Sequence, residues 1–469
     1  MGSGWSFNYD SLDRLEGIHY GNGVQTTYAY DCDGNISHLE TKTESAVLLS
    51  FSYQYDGNGN RTAKTGTQGL TAGSSALQPA AIDISYRYDV RGQLLEERRN
   101  NMPVCYKYDA AGNRIRKTEG EKETRYHYNA KNQLICEENA GGIKSFTYDR
   151  QGGIVEEKGQ TGPRRFTYNS RHQQIRVQTE TGNVQENCYD AEGLRYELLE
   201  NGRRTSFVYH NGELLHEKGG ETGLSGEETS YHLGVGIEAF QRKQKIFYYH
   251  QDEQLNTTLI SDGDAKLRNQ YQYDAFGAGL DALEELSNRI RYTGQQYDQL
   301  TEQYYLRARY YNPILGRFMQ EDVYQGDGLN LYAYCKNNPV VYYDPSGYAC
   351  DDPEEFGGDG GSEVIGDNKS DYPPPIEPYN RRKHYGNTPT AQDRKKIGGS
   401  PDHDPPLVKR YYEGDPSIGE KPGYLMTPDE RKASAQDRTR MKPSTKEEQN
   451  KQGGEMALYS REMKKKYGL

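Results

Sequence analysis

The sequence is short of the residues that fill an ordinary protein core. Only 33% of its 469 residues are hydrophobic, and it contains a single Trp. A normal compact core is hard to build from so polar a chain. No apolar run is long enough to span a bilayer and no signal peptide opens the chain, so a membrane-spanning segment is excluded in this sequence.

Cysteine is also scarce. The six cysteines have neither the spacing of metal ligands nor the pattern of a small disulfide framework, which excludes those two classes of site. We expect isolated thiols at Cys32, Cys105, Cys136, Cys188, Cys335 and Cys350.

Tyrosine, in contrast, is abundant, with 42 copies. A tyrosine ring can be buried while its hydroxyl stays hydrated. The high tyrosine content therefore argues for a folded chain that has a large surface relative to its hydrophobic core. The tyrosines recur in a Tyr-x-Tyr-Asp pattern or a close variant of it. Its second aromatic falls at residues 88, 108, 128, 148, 168, 189 and 209, a period of 20 residues with one single-residue slip.

A period of this length is typical of stacked supersecondary units. Aromatic residues two apart lie on one face of a strand, and the following Asp or Asn can open a turn by bonding the backbone two residues on. Gly-Asn pairs such as Gly112-Asn113 suit the positive φ of a tight turn, and alternating residues such as Arg114–Lys117 predict a returning strand. Each unit is therefore predicted to be a β-hairpin that becomes stable when it is stacked.

These motifs resemble the YD repeats of Rhs proteins, which are related to teneurins and to the C components of insecticidal Tc toxins. The resemblance implies a mainly β fold in which hairpins over residues 1–270 spiral into a hollow shell. The low hydrophobic content fits a wall with two wet faces, while a plain β-solenoid remains an alternative for the repeats alone.

Residues 271–348 carry a denser set of motifs. They are Tyr271–Gly277, Arg291–Asp298, Tyr304–Pro313, Gly316–Phe318 and Gly328–Tyr334, followed by Asp344-Pro345-Ser346-Gly347-Tyr348. This set resembles the Rhs core-terminal module, which plugs the shell. In that family the module cuts its own chain after the Asp-Pro-x-Gly ending, in the manner of an aspartic protease.

By that resemblance Asp322 and Asp344 are the two catalytic aspartates, Arg317 is their helper, and the cut falls between Tyr348 and Ala349. Two neighbouring carboxyl groups suit the chemistry because one can keep its proton while the other activates water. Asp322-Val323 departs from the Asp-Pro found in many relatives. Without the resemblance, both aspartates would be interpreted as turn formers.

The sequence changes character after the cut. Residues 349–380 hold one Lys against nine Asp or Glu, a net charge of −8, and are rich in Gly and Pro, which predicts an extended acidic linker. Residues 381–469 hold twenty Lys or Arg against thirteen Asp or Glu, a net charge of +7. We interpret them as a toxin domain with an anionic partner, although a solvated charged surface is the simpler alternative.

Within that domain, Asp402-His403-Asp404-Pro405 resembles the opening of the HNH/endonuclease VII superfamily, whose motif lies on a β-turn-β before a helix. The likeness implies a small α+β, ββα-metal domain in which Asp402 binds a divalent metal and His403 is the general base. Mg²⁺ or Mn²⁺ fits a carboxylate ligand, and Zn²⁺ is an alternative. Candidates for another ligand are Asp437, Gln449 and Asn450.

Two helices are predicted around those candidates. One begins near Thr427 and carries Asp437 together with Arg438 and Arg440, which could clamp phosphates. The other begins near Thr445, with Ser444 or Thr445 as its cap, and ends in Lys464–Lys466.

Taken together, the motifs predict the C-terminal part of a secreted, encapsulated polymorphic toxin. Its repeats enclose the tail, its aspartates sever it, and the freed domain degrades nucleic acid in the cytoplasm of a competitor cell, with DNA favoured over RNA. The expected partners are an immunity protein and a delivery apparatus. Two alternatives stay open: the same carrier with a metal-independent RNase or other toxin chemistry, and an adhesive surface protein with an inert tail.

Overall fold

The computed structural model describes residues 4–69, 80–220, 227–323 and 330–350, and the backbone of residues 400–403 and 441–444. The chain forms two compact units, residues 1–366 and 367–469, and their boundary falls inside the predicted linker. Within the described residues the only helices are 3₁₀ turns at Tyr292–Gly294 and Cys335–Asn337, and none could cross a membrane. The prediction of a mainly β fold is thus confirmed for the first unit.

One large sheet of 26 strands makes up most of the described part of the first unit. Its strands are β1 Trp5–Tyr9, β2 Leu15–Tyr20, β3 Gln25–Tyr30, β4 Ile36–Lys42, β5 Val47–Tyr55, β6 Arg61–Gln68, β7 Ala80–Tyr88, β8 Leu94–Arg99, β9 Met102–Tyr108, β10 Arg114–Glu119, β11 Lys122–Tyr128, β12 Leu134–Asn139, β13 Gly142–Tyr148, β14 Ile154–Gly159, β15 Gly162–Tyr168, β16 Gln174–Gln178, β17 Val184–Tyr189, β18 Arg195–Glu200, β19 Arg203–His210, β20 Glu213–Gly220, β21 Glu228–Leu233, β22 Ile237–Arg242, β23 Lys245–Gln251, β24 Thr257–Ser261, β25 Leu267–Tyr273 and β26 Gly279–Glu284.

Two smaller sheets follow. The first contains β27 Gln296–Asp298, β28 Gln303–Leu306, β29 Arg309–Asn312 and β30 Arg317–Phe318, and we call it the junction sheet. The second consists of β31 Ser400–His403 and β32 Met441–Ser444 in the second unit.

The large sheet is a continuous antiparallel meander. Each strand from β2 to β25 pairs with the strands before and after it in the sequence. The register slips just before the second aromatic of the repeat, for example between His127 and Tyr128, where Ile135 of the facing strand has no partner. Such a bulge turns the strand end and re-aims its side chain.

The turn after that aromatic is built by the repeat's Asp or Asn. In one copy, Asp109 Oδ1 accepts hydrogen bonds from the N–H groups of Ala111 and Asn113, each at 2.9 Å. The Asp109 N–H donates to the Asn113 carbonyl at 2.9 Å, and Gly112 takes a φ of +77°. The predicted turn chemistry is therefore confirmed, including the need for a residue that tolerates positive φ.

The hydroxyl of the second aromatic links most hairpins to the one before it. The Tyr128 hydroxyl donates to the Arg114 carbonyl at 2.9 Å, and Tyr148 and Tyr168 repeat the bond at 3.0 Å to Leu134 and Ile154, each 14 residues earlier. Phe at this position would leave the carbonyl without this donor, so the bond accounts for Tyr as the second aromatic.

The aromatic face of the repeats is buried, which corrects the expectation of two wet faces. Tyr126, Phe146 and Phe166 are 4–6% exposed and lie in one cluster with Tyr305 and Tyr310 of the junction sheet. The residues that follow them in the strands, such as His127, are exposed. The sheet therefore has one buried and one solvent-exposed face in this region. A hydrophobic content of 33% is enough to form the core because alternate side chains of these strands face solvent.

A buried ion pair fastens the large sheet to the junction sheet. Arg195 of β18 and Asp298 of β27 are both fully buried, and Arg195 Nη2 donates to Asp298 Oδ1 at 3.0 Å. The guanidinium also lies over the Tyr305 ring, 4.5 Å from its centroid. An arginine is thus used here as a core residue.

We predict that Arg195→Ala destabilises the protein by about 3–5 kcal/mol, because the buried Asp298 charge keeps only Arg289 among the described residues as an ion-pair partner, at the longer distance of 3.6 Å. Urea unfolding followed by tyrosine fluorescence measures the change. Arg203→Ala, at an exposed position of the next strand, is the control and should change the unfolding midpoint little. Equal midpoints for the two variants would contradict the role given to this ion pair.

Candidate active site

The candidate site is organised around Arg309, the first residue of β29. Its side chain is 7% exposed, and its guanidinium carbon lies 3.5 Å from the centroid of the Phe318 ring in the neighbouring strand. The flat face of the guanidinium is thus covered by an aromatic ring, while its N–H groups point at acceptors in the loops that follow.

Asp322 is the nearest of these acceptors. Its Oδ2 lies 2.7 Å from Arg309 Nη2, and the residue is 7% exposed. The backbone is fixed by a hydrogen bond from the Asp322 N–H to the Leu331 carbonyl at 3.0 Å, and the same carbonyl accepts from Arg309 Nη1 at 3.2 Å. Asp322 is therefore held as a charged partner of Arg309 rather than as a turn former.

Asp344 approaches the same nitrogen from the other side. Its Oδ2 lies 3.6 Å from Arg309 Nη2, while its Oδ1 accepts hydrogen bonds from the N–H groups of Ser346, Gly347 and Tyr348 at 2.7–3.2 Å. Because Oδ1 already accepts three N–H groups, Oδ2 is the oxygen that can carry a proton. Asp344 thus forms a turn with one oxygen and faces Arg309 with the other.

Burial sets the protonation of Asp344. It raises the pKa of this carboxyl to about 7, although the Arg309 guanidinium and the N–H groups of Ser346 and Gly347 act in the opposite direction. The nearby charge of Asp322 adds to the increase. Near neutral pH this carboxyl can therefore be protonated beside an ion-paired carboxylate, the division of roles that acid–base catalysis by two aspartates needs.

The backbone that follows Asp344 passes through the same point. Arg309 Nε donates to the Gly347 carbonyl, and Arg309 Nη2 lies 3.5 Å from the carbonyl oxygen of Tyr348. Gly347 has a φ of +79°, and a Cβ there would collide with the Leu306 carbonyl oxygen, so the close approach requires glycine. One guanidinium thus touches both aspartates and the carbonyl of the peptide bond between Tyr348 and Ala349.

The turn between β28 and β29 holds this loop in place. The Ala308 N–H donates to the Ser346 carbonyl at 3.1 Å, and Arg307 donates to the Pro345 carbonyl. Arg307 also donates to the Gly212 carbonyl at 2.8 Å and pairs with Glu213 at the start of β20. The site is consequently anchored to both the junction sheet and the large sheet.

The structure brings together three of the residues predicted from sequence and replaces a fourth. Asp322, Asp344 and Tyr348 converge, but Arg317 does not join them. Its guanidinium instead donates to the Asn132 carbonyl at 2.7 Å and lies over the rings of Tyr128 and Tyr332. The arginine that lies beside the two aspartates is Arg309, whose only sequence signal was its place in the Tyr304–Pro313 motif.

The predicted tail site is described only in part. Asp402 and His403 lie on β31, which pairs antiparallel with β32 so that Asp402 is opposite Lys442 and His403 opposite Met441. Within the described residues, the strand that pairs with β31 begins 38 residues after His403. The predicted helix cap Ser444 is the last residue of β32.

The other predicted tail residues, Asp437, Gln449, Asn450, Arg438 and Arg440, lie outside the described residues. Where side chains are described, no group of three or more His, Cys, Asp or Glu residues could hold a metal ion.

Comparison with known proteins gives a family profile and several partial relatives. The profile described as Teneurin YD-shell matches residues 70–340, more than half of the chain. The tRNA nuclease WapA of Bacillus subtilis (strain 168) is 37% identical over 170 residues, which is 34% of this chain and 7% of WapA. The toxin protein Tse5 of Pseudomonas aeruginosa is 36% identical over 104 residues, 22% of this chain and 8% of Tse5.

Among solved structures, one described as the crystal structure of TcdB2-TccC3-TEV matches with a TM-score of 0.58 and 18% identity, over 73% of this chain and 19% of that chain. At 18% identity this match supports a shared fold and nothing further. The chain spans less than a tenth of the length of WapA or Tse5.

Proposed function

Because the chain belongs to the teneurin YD-shell family, we propose that it is the carrier end of an Rhs-type polymorphic toxin that cuts its own backbone after Tyr348. The cut separates residues 349–469, a nuclease tail, from the repeats that enclose it. The observation that carries the proposal is the contact of one guanidinium, that of Arg309, with Asp322, Asp344 and the Tyr348 carbonyl.

In the proposed reaction, the Asp322 carboxylate takes a proton from water as its oxygen adds to the Tyr348 carbonyl carbon. Protonated Asp344 gives its proton to the carbonyl oxygen, and Arg309 stabilises the negative charge that develops there. The bond to the Ala349 nitrogen then breaks as that nitrogen takes the proton held by Asp322, while a hydroxyl of the intermediate returns a proton to Asp344. The products are a Tyr348 carboxylic acid and an Ala349 amine, which become carboxylate and ammonium in water.

We predict that Asp344→Asn leaves one covalent chain where the wild type yields two. Losing an acid–base group typically slows a reaction by about a hundred- to ten-thousandfold, and the amide cannot supply the proton. Intact-mass analysis of the purified protein should find a wild-type fragment that begins at Ala349. Asp322→Asn should behave as Asp344→Asn does.

Asp83→Asn is the matched control because Asp83 is an exposed aspartate of β7, and this variant should be cut like the wild type. Circular dichroism of all variants checks that the β fold is kept. A wild-type protein that stays uncut after prolonged incubation would refute the proposal.

We also predict that the cut slows as the pH rises above about 7. Asp344 must donate a proton, and its pKa of about 7 means that the protonated form prevails below that pH and is lost above it. The rate should then fall by about tenfold for each pH unit in the alkaline range. Chain synthesised in vitro can be diluted from denaturant into buffers of different pH, and the fragment quantified over time.

Tyrosine fluorescence, recorded in the same samples, shows whether folding precedes the cut at each pH. A rate that increases through this range would mean that Asp344 acts in its ionised form, and the proposed division of roles between the aspartates would fail.

For the tail, we propose a metal-dependent nuclease of the HNH type, with DNA as the favoured substrate. The net charge of +7 in residues 381–469 supports a polyanionic substrate. A carboxylate donor such as Asp402 fits Mg²⁺ or Mn²⁺ and tolerates Zn²⁺, with Asp437, Gln449 or Asn450 as a further ligand. The bound metal would polarise the phosphate, His403 would take the proton of the attacking water, and Arg438 and Arg440 would hold the backbone phosphates.

The name of the relative WapA favours a second candidate, a nuclease that acts on tRNA. In either case the tail must be kept from the producing cell's own nucleic acid. The proposal therefore includes enclosure before release, secretion through a delivery apparatus, and an immunity protein whose contact surface is acidic.

We predict that His403→Ala and Asp402→Ala each abolish the toxicity of expressed residues 349–469. A lost general base costs about a hundred- to ten-thousandfold in rate, and a lost ligand weakens metal binding. Nicking of plasmid DNA and cleavage of total tRNA by the purified fragment, with and without chelator, identify the substrate and the metal requirement.

His384→Ala changes another histidine of the same domain and should leave toxicity intact. A His403→Ala fragment that kills as well as the unchanged one, or activity undiminished in excess chelator, would reject the HNH assignment. An unchanged fragment that is neither toxic nor active on nucleic acid would favour the adhesive alternative.

A further inference from the structure

Two cysteines lie on opposite sides of the proposed cut and meet in space. Cys335 belongs to the carrier, whereas Cys350 is the second residue of the released tail. Both are thiols in this structure, and Cys350 packs against the buried cluster that contains Cys335, Tyr334 and Phe318. The expectation of isolated thiols is therefore wrong for this pair.

Cys335 is held rigidly. It is 3% exposed and opens a 3₁₀ turn in which Cys335, Lys336 and Asn337 all have positive φ, a conformation that non-glycine residues keep only when their surroundings fix it. The Asn337 side chain donates to the Gly112 carbonyl at 2.8 Å, and the Asn338 N–H donates to the Cys335 carbonyl at 2.7 Å. A thiol fixed beside another has a high effective concentration for reaction with it.

We propose that Cys335 and Cys350 are a disulfide site that keeps the tail covalently joined to the carrier after the backbone is cut. The consequence for release rests on the proposed self-cleavage, but the disulfide itself does not. Residues 349–469 are then released only after both the peptide bond and the disulfide have been broken.

The chemistry needs an oxidant, and a small-molecule disulfide such as oxidised glutathione supplies it. The Cys350 thiolate, which is partly exposed, attacks one sulfur of that molecule and releases one thiol. The Cys335 thiolate then attacks the Cys350 sulfur and releases the second thiol. The protein loses two protons and two electrons, and the oxidant gains them.

The surroundings of Cys335 set the pace of this exchange. Burial raises the pKa of its thiol well above the usual value, and the neighbouring Cys350 thiol adds to the increase. The second step should therefore be slow at neutral pH, which makes the pair respond to a lasting change of redox environment rather than to a brief one. Oxidising conditions outside cells favour the closed disulfide, and a reducing cytosol opens it.

The test uses the full chain, incubated with oxidised glutathione, blocked with an alkylating agent and denatured. Wild-type protein should run as one species without reductant and as two pieces, residues 1–348 and 349–469, with reductant. Cys335→Ser and Cys350→Ser should each give two pieces in both conditions. Cys32→Ser removes an exposed cysteine and should behave like the wild type.

Two pieces from oxidised wild-type protein without reductant would overturn the proposal and would mean that the cysteines only pack together. One chain even after reduction would instead mean that self-cleavage failed. Trypsin cuts after Lys336, between the two cysteines, so mass spectrometry of the digest still decides: a linked Cys335–Cys350 peptide supports the disulfide, and its absence rejects it.

Discussion

The fold depends on the hydrogen bond that the second aromatic of most repeats donates to a carbonyl of the preceding hairpin. The acceptor lies 14 residues earlier for Tyr128, Tyr148 and Tyr168. A lone hairpin buries too little apolar surface to be stable, so each unit must be joined to its neighbour. The first aromatic can be Phe or Tyr, as in Phe146 and Tyr106, because the ring alone fills the buried position, and the Tyr106 hydroxyl has no hydrogen-bond partner in the part of the chain that the structure describes. The hydroxyl groups of Tyr53 and Tyr271, in the same position of their repeats, donate to Glu253 and Glu284. The second must be Tyr because its hydroxyl makes the connection.

Buried arginines also combine ring packing with hydrogen bonds. Arg195 and Arg114 are buried to 0% and 6% exposure, and both lie over aromatic rings while their N–H groups reach acidic or carbonyl oxygens. Arg309 repeats the arrangement with Phe318 on its face and Asp322 at its edge. The candidate active site is thus one instance of a packing device used throughout this unit, with a peptide carbonyl among the acceptors.

The local parts of this architecture could be predicted from sequence and the distant ones could not. The hairpin period, the Asp turns and the aspartate pair follow from residues close together in the chain or from a motif. Arg309 lies beside the aspartates and Arg317 does not because of the register of the junction sheet. There Arg317 pairs with Asn312, and its side chain lies over the Tyr128 ring. Likewise, nothing in their spacing places Cys335 beside Cys350, and the described strand that pairs with β31 lies far along the chain.

The neighbour-only pairing of β1 to β26 also has a consequence for timing during synthesis. The strand pairings of such a meander are local in sequence, so its hairpins can form one after another as the chain leaves the ribosome. The Arg309 site needs groups as far apart as Gly212 and Tyr348, and it is complete only once nearly the whole carrier has emerged. Under the proposed self-cleavage, the cut therefore waits until the carrier has assembled, and a truncated or misfolded chain lacks the site that would release its tail.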